Sequence, residues 1–299
     1  MTTARAHKRS TDIGPVALKA RDVHFEWDDV PLQWMSKDPL ASHVISAINL
    51  LLPTGERFFV TTFKEALGDV TDAEVRDAMI GFMGQEAVHA ETHDKVLWEF
   101  LDKHGVDPRP FVKQVDFVFD TINTVARRLP APARSRHLVG RLAFIAGIEH
   151  FTAVLGDWVL NADLESFGAD ATMADLFRWH GAEEVEHRSV AFDVASNFGA
   201  GYVQRYAMFV VGSGGLLVLV IRGTKYLVRH DPTLPNYGYP RVLIEMTRSM
   251  SRGSLPKWRS LAAASVRYLR PGYTPEIEGN TSQATAYLAK SPTAKAAQG

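Results

Sequence analysis

The chain has 299 residues, 46% of them hydrophobic and 22% charged, with a formal net charge of −1 and no cysteine. That length and apolar content suffice for a large buried core, and a near-neutral balance removes the general electrostatic reason to expect nucleic acid as a partner. The absence of cysteine excludes thiolate metal sites, disulfides and thiol nucleophiles together and fits a reducing interior, so any metal must be held by oxygen and nitrogen.

Helical periodicity dominates and strand signals are scarce. Residues 1–35 read as an N-terminal extension; Arg5, Lys8 and Arg9 lie there without the apolar stretch of a secretory signal, which makes a cytoplasmic protein the expectation. A helix is expected from about Pro39, interrupted at Pro53 and Gly55 and resumed through Glu56, Phe59, Val60 and Phe63. Thr71-Asp72-Ala73-Glu74 has the form of a capping box opening a helix that reaches about His104 and stops at Gly105. Residues 109–129 give a crossover helix stopped by Pro130 and Pro132, and helices of about 133–161 and 171–198 complete a bundle over residues 36–200.

Beyond Gly199 the character changes. Ala207 to Ile221 is uncharged and mostly apolar, and shorter than the ~20 residues that span a bilayer. It reads as a helix buried over the bundle, or as an interfacial patch assisted by the basic stretch behind it, since residues 222–270 hold ten Arg or Lys against two acids. Gly212, Gly214 and Gly215 would equally leave space for an apolar channel. Residues 201–275 are therefore assigned to an apolar helix and basic C-terminal helices packed on the bundle, and residues 276–299, rich in Ala, Ser, Thr and Lys, to a flexible tail.

Two segments repeat one chemical idea. Gln85-Glu86-Ala87-Val88-His89 and Glu184-Val185-Glu186-His187 each place a glutamate three residues before a histidine, on one helical face, where both side chains can reach a common ion. A single such pair is expected about 0.6 times by chance in a chain of this composition. His180 extends the second segment to His180-x3-Glu184-x2-His187, a triplet expected only ~0.02 times. Helix-bundle di-metal proteins take a Glu-x-x-His from each of two helices and a lone Glu from each of two others, and Glu56 and Glu149 stand at the right places for the lone pair. Competing assignments are clear. Glu56 and Glu149 could form ion pairs with Arg57 or Arg141, and His180 could contact substrate or a ligand instead of the metal. Glu183 shares the edge of the Glu184 face. His93 lies on the His89 face as a near-site residue, His150 is turned about 100° from Glu149, and Asp193 is a candidate acceptor for a ligand histidine.

The order Glu56, Glu86-x2-His89, Glu149, His180-x3-Glu184-x2-His187 resembles that of the ferritin-like di-iron aminoarene N-oxygenases, in which an extra histidine joins the usual set. Over most of its length the chain is similar to a bacterial family described as predicted metal-dependent hydrolases. The similarity runs through Leu52-Pro53-Thr54-Gly55-Glu56-Arg57-Phe58-Phe59, Gly84 to His89, Glu183 to His187 and Tyr268-Leu269-Arg270-Pro271-Gly272-Tyr273. These resemblances imply an all-α, ferritin-like four-helix bundle with a long crossover and additional C-terminal helices, holding metal at Glu56, Glu86, His89, Glu149, His180, Glu184 and His187.

Four carboxylates with two or three histidines suit two iron ions first and manganese second, and their −4 charge would balance two ferrous ions. With O2 as co-substrate and electrons from a donor protein or other reductant, the expectation is a di-iron oxidase or oxygenase acting on an apolar small molecule. Phe59, Phe63, Phe82, Phe144, Phe151 and Phe192 would line its route or simply fill a core. A di-metal hydrolase and a metal-storage protein are the other readings. Peripheral contact with the inner membrane face is expected, nucleic acid is not, and a homodimer is admissible.

Overall fold

The structure, a computed structural model, describes residues 12–297, which are all-α apart from one isolated bridge between Met35 and Ala169. Residues 1–11 of the expected extension, with Arg5, Lys8 and Arg9, and residues 298–299 of the tail lie outside the described residues. From Asp12 to Lys37 the chain forms no helix, and Val23, Trp27, Val30, Trp34 and Met35 hold it down by burial in the main core.

Asp38 caps α1 (Pro39–Asn49), its carboxylate accepting the Ala41 N–H, and α2 (Leu52–Ala66) follows directly. The break falls at Leu50 and Leu51, ahead of the expected position. Pro53 is tolerated in the first turn of α2, where its missing N–H would have had no helical partner, and Gly55 lies inside the helix. The cap of α3 (Ala73–Lys95) is Asp72, not Thr71, because the Asp72 carboxylate takes the N–H groups of Glu74 and Val75. A π-helical turn, Val96–Leu101, continues α3 before Gly105 closes it in left-handed backbone. The crossover is α4 (Arg109–Arg128), and α5 (Ala131–Asn161) opens with Pro132 in its first turn.

The helix expected over 171–198 is two, α6 (Ala171–His187) and α7 (Val190–Asn197). The break comes directly after His187, where the buried Arg188 guanidinium bonds the Thr281 hydroxyl and the Asp12 carboxylate, 2.7 and 2.9 Å away, and so ties both ends of the chain to α6. Then come α8 (Tyr202–His230), α9 (Tyr239–Arg252), α10 (Trp258–Tyr268), α11 (Thr281–Leu288) and α12 (Pro292–Ala296). The expected flexible tail is thus largely helical: Asn280 and Ser291 cap its two helices, and Ala284, Leu288 and Ala294 are buried in the main core. Small apolar residues at helical spacing can dock where a composition count sees only a polar, Ala-rich stretch.

Two antiparallel pairs frame the centre of the bundle. In α2 and α3, Phe63 packs on Phe82 with ring centres 4.5 Å apart. In α5 and α6, Gly156 meets Gly181 so closely that a Cβ on Gly156 would sit 2.3 Å from the Gly181 carbonyl oxygen. This glycine contact brings the Glu149 helix against the His180-Glu184-His187 helix. Outside them, α8 runs parallel to α5, with Phe209 on Gly147 and Gly212 against Phe144 and Ile148, and antiparallel to α1, with Gly223 against Ala47 and Asp231 on His43. The expectation that Ala207–Ile221 is buried is corrected here: only 22% of the most apolar stretch of α8 is buried, because neighbours cover one side of it.

Candidate metal centre

Helical registers deliver all seven predicted side chains to one place: Glu56 from α2, Glu86 and His89 from α3, Glu149 from α5, and His180, Glu184 and His187 from α6, all buried. Their donor atoms form overlapping groups within 4.8 Å. One group is Glu56, Glu86 and His89, another is Glu86, Glu149, Glu184 and His187, and His180 joins through His89 and Glu184. A fourth group joins Glu56 and His180 to His93, so Glu56, Glu86, His89, His180 and Glu184 each belong to two groups and link the set. The His187 Nε2 lies 3.2 Å from oxygens of both Glu149 and Glu184 and 3.4 Å from Glu86, while the His89 Nδ1 is 3.5 Å from Glu86 and Glu184.

Several of these atoms are buried without an aligned hydrogen-bond donor or acceptor: both oxygens of Glu56 and of Glu149, one of Glu86, and Nδ1 of His89. Such groups are costly inside a protein unless something compensates them, and here they converge. The residues present therefore fit metal ions, which would take those lone pairs. Neither competing ion pair forms. Arg57 pairs with Asp94 and Arg141 with Glu65, leaving Glu56 and Glu149 to the cluster.

A network behind the histidines fixes which ring nitrogen faces inward. The His89 Nε2 donates to Glu183 at 2.9 Å, and the His187 Nδ1 donates to the Gln85 amide oxygen at 3.0 Å, so Gln85 and not Asp193 is its acceptor. The Gln85 amide nitrogen in turn donates to Glu186 at 3.1 Å. Arg21 closes both branches, reaching Glu183 at 2.6 Å and Glu186 at 2.9 Å. Glu183 thus orients a histidine, and the carboxylate within the cluster is Glu184. His180 donates to or accepts from His93, 2.7 Å from its Nδ1, and its Nε2 is 2.8 Å from Glu184; His93 is anchored beyond by Asn49. His150 turns away to Tyr273. Arg21 and Gln85 were missed as partners: Arg21 sits in a segment with no periodicity, though Gln85 stood inside the motif and one turn from His89.

The protein alone holds these charges uneasily. Burial, then Glu86, pushes the Glu56 carboxyl well above its usual range, and burial with Glu184 pushes Glu149 up to about 8. Burial opposes ionisation of Glu184 too, but His187 and His180 outweigh it and hold that carboxyl well below the usual range. His89 and His187 go well above the ordinary imidazole value despite burial, through Glu183 and Glu86 for the first and Glu184 and Glu149 for the second. Burial and His89 lower His180. Four carboxylates crowded in a dry core cannot all stay charged without cations.

Two apolar cavities reach the cluster. The larger, about 480 Å³, meets it at His180 and Glu184 and is walled by α1, α5, α6, α8, α9 and α10. The smaller, about 200 Å³, meets it at Glu56, Glu86, Glu149 and Glu184. Leu216 of α8 and Thr152 of α5 border both. No curated protein and no solved structure matches the chain. Residues 19–279, which contain the cluster, the Arg21 network and both cavities, match the family described as predicted metal-dependent hydrolases, and the chain belongs to that family.

Proposed function

We propose that the chain is a di-metal oxidase or oxygenase in a ferritin-like bundle, with iron as its first metal and manganese as its second. In this reading Glu56, Glu86, His89, Glu149, His180, Glu184 and His187 would hold two divalent ions. Ferrous ions bound there supply the electrons that activate O2, with an external donor restoring them. Every other part of the work falls to the chain. The four carboxylates neutralise the ions. Glu183 and Gln85 fix the tautomers of His89 and His187, and the cavities exclude water and take an apolar small molecule.

The observation that carries the reaction class is the chemistry of the cavity walls. Among the described residues lining either cavity there is no Arg or Lys, and apart from the cluster itself the polar side chains are Thr152, Ser213 and Ser265. Hydrolysis develops an oxyanion that wants cationic or aligned N–H donors, whereas oxidation of an apolar molecule wants dryness. The family's description favours the second reading, hydrolysis by the same two ions, and the three hydroxyls are its best oxyanion donors.

Anaerobic reconstitution with ferrous iron tests the proposal. We expect two ions per chain, fewer in Glu86→Ala and Glu184→Ala, and O2 consumption when air is admitted. A single tightly bound zinc at every loading would sink the di-metal reading. Turnover in strict anaerobiosis without an electron donor would reject the oxygenase and leave the hydrolase.

A further inference from the structure

The outward stripe of α8 is apolar for about four turns. Val203, Tyr206, Val210, Val211, Leu217 and Val218 follow one another at helical spacing, all exposed, Val203 by 78%. A contiguous apolar face of this kind marks an interaction surface. Both cavities open through it. Leu217 and Trp258, each 42% exposed, line the mouth of the larger cavity, whose inner end is His180 and Glu184. Val211, 58% exposed, and Val118 line that of the smaller. A molecule leaving the carboxylate cluster by either path therefore emerges on apolar side chains of α8.

The surrounding charge indicates what covers the face. The stripe ends at exposed Arg222, and residues 222–270 hold ten Arg or Lys against two acids. Four of the ten are paired, Arg241 and Arg248 with Glu245 at 2.6 and 2.8 Å, Arg252 with Asp38 at 2.7 Å and Arg267 with Glu278 at 2.5 Å, and Asp231 is buried on His43; Arg222, Lys225, Arg229, Lys257, Arg259 and Arg270 make no ion pair among the described residues. Lys257 and Arg259, both exposed, flank Trp258 at the mouth. An apolar stripe bordered by cations with an exposed tryptophan matches the boundary of an anionic bilayer, apolar below and negative at the headgroups. A second copy on the same face would bring like charges together.

We infer that α8 and the start of α10 lie in the interface of an anionic membrane, and that the larger cavity draws from it an acyl chain with an anionic head. The chain passes between Leu217 and Trp258 toward His180 and Glu184, and the head stays with the cations. This deepens the proposed function by naming the substrate class of the same centre; it rests on that reading for the chemistry and is independent of it for the binding.

The test uses the full chain with and without iron, vesicles of phosphatidylglycerol and phosphatidylcholine against phosphatidylcholine alone, and a spin-labelled stearic acid. Sedimentation with the anionic vesicles at low salt, weakened by high salt, is expected. The double variant Val210→Glu/Val218→Glu, at exposed positions, should lose that binding by about tenfold or more. At Gly214, which lines the larger cavity, an added Cβ meets nothing within 4 Å, so Gly214→Trp should fold, keep vesicle binding and fail to immobilise the label. Absence of anionic-vesicle binding, or binding that survives the double variant, overturns the membrane face. So does a dimer in light scattering that the double variant splits, which would assign the face to a second copy. Equal immobilisation of the label in Gly214→Trp overturns the cavity assignment. None of these readouts needs metal, so failure of the di-metal reading shows separately in the iron count.

Discussion

α5 and α8 are near twins in composition and opposites in use. They have 31 and 29 residues, their most apolar stretches have mean hydropathy 1.5 and 1.8, and each is long and apolar enough to cross a bilayer. Yet 56% of that stretch is buried in α5 and 22% in α8. α5 packs against α6, α7 and α8 and contributes Glu149 to the cluster, while α8 is covered by α1 and α5 on its inner side and leaves an uncharged stripe outside. Apolar composition says that a helix will be covered by something apolar. It does not say whether the cover is the rest of the chain, and in α5 it is.

The same charge placed on both helices should separate them most widely. Ala146 of α5 is buried in the cluster of aromatic and aliphatic side chains that includes Phe58 and Phe63. Ala146→Glu should cost about 3–5 kcal/mol through an unpaired buried charge, read as a lower urea midpoint. Val210→Glu on α8 should stay within about 0.5 kcal/mol. Equal losses would mean that the outer stripe of α8 is covered within the chain.

The next effect belongs to the glycine contact that sets α5 against α6. A Cβ on Gly181 would lie 2.7 Å from Val159 Cγ1 and 2.8 Å from Gly156 Cα, so the helices must separate to admit it. Gly181→Ala should cost about 1–3 kcal/mol and also weaken metal binding, because His180 and Glu184 flank that position. A variant that loses stability but keeps the metal affinity would show that the cluster tolerates the shift.

How much of this was legible follows from what each signal depends on. The convergence of Glu86, His89, Glu184 and His187 could be read because helical spacing alone puts each pair on one face, and Glu56 and Glu149 because antiparallel helices return at a fixed interval. The break after His187 could not, since it depends on Arg188 meeting Asp12 and Thr281 from the two ends of the chain. Arg21 is the clearest case, with partners some 160 residues away in a segment of no regular pattern. Its role is also testable. Arg21→Met removes the group that steadies Glu183 and Glu186, and through them His89 and Gln85, so metal affinity should fall about 10 to 100-fold. Arg57→Met, which removes an exposed pair with Asp94, should leave it unchanged.

The smallest effect concerns how α8 stays attached while exposing so much of itself. Asp231, just past its last turn, accepts from the Gln33 amide at 2.7 Å and lies 2.7 Å from the buried His43 of α1, so one carboxylate ties α8 to both α1 and the N-terminal segment. Burial works against its ionisation, but the bonds from Gln33 and Thr233 prevail and bring it down to about 2. A carboxyl held below its unfolded value stabilises the fold above that value and loses the contribution as pH falls toward the folded one. The stabilisation is therefore present above about pH 4 and lost between there and pH 2, and amounts to about 1–2 kcal/mol once solvent screening is allowed for. Asp231→Asn cannot titrate. In urea titrations the wild-type midpoint should exceed that of the variant at pH 6 and approach it by pH 3; a gap that stays constant over that range would mean that the tie acts through shape and hydrogen bonding alone, not through the charge.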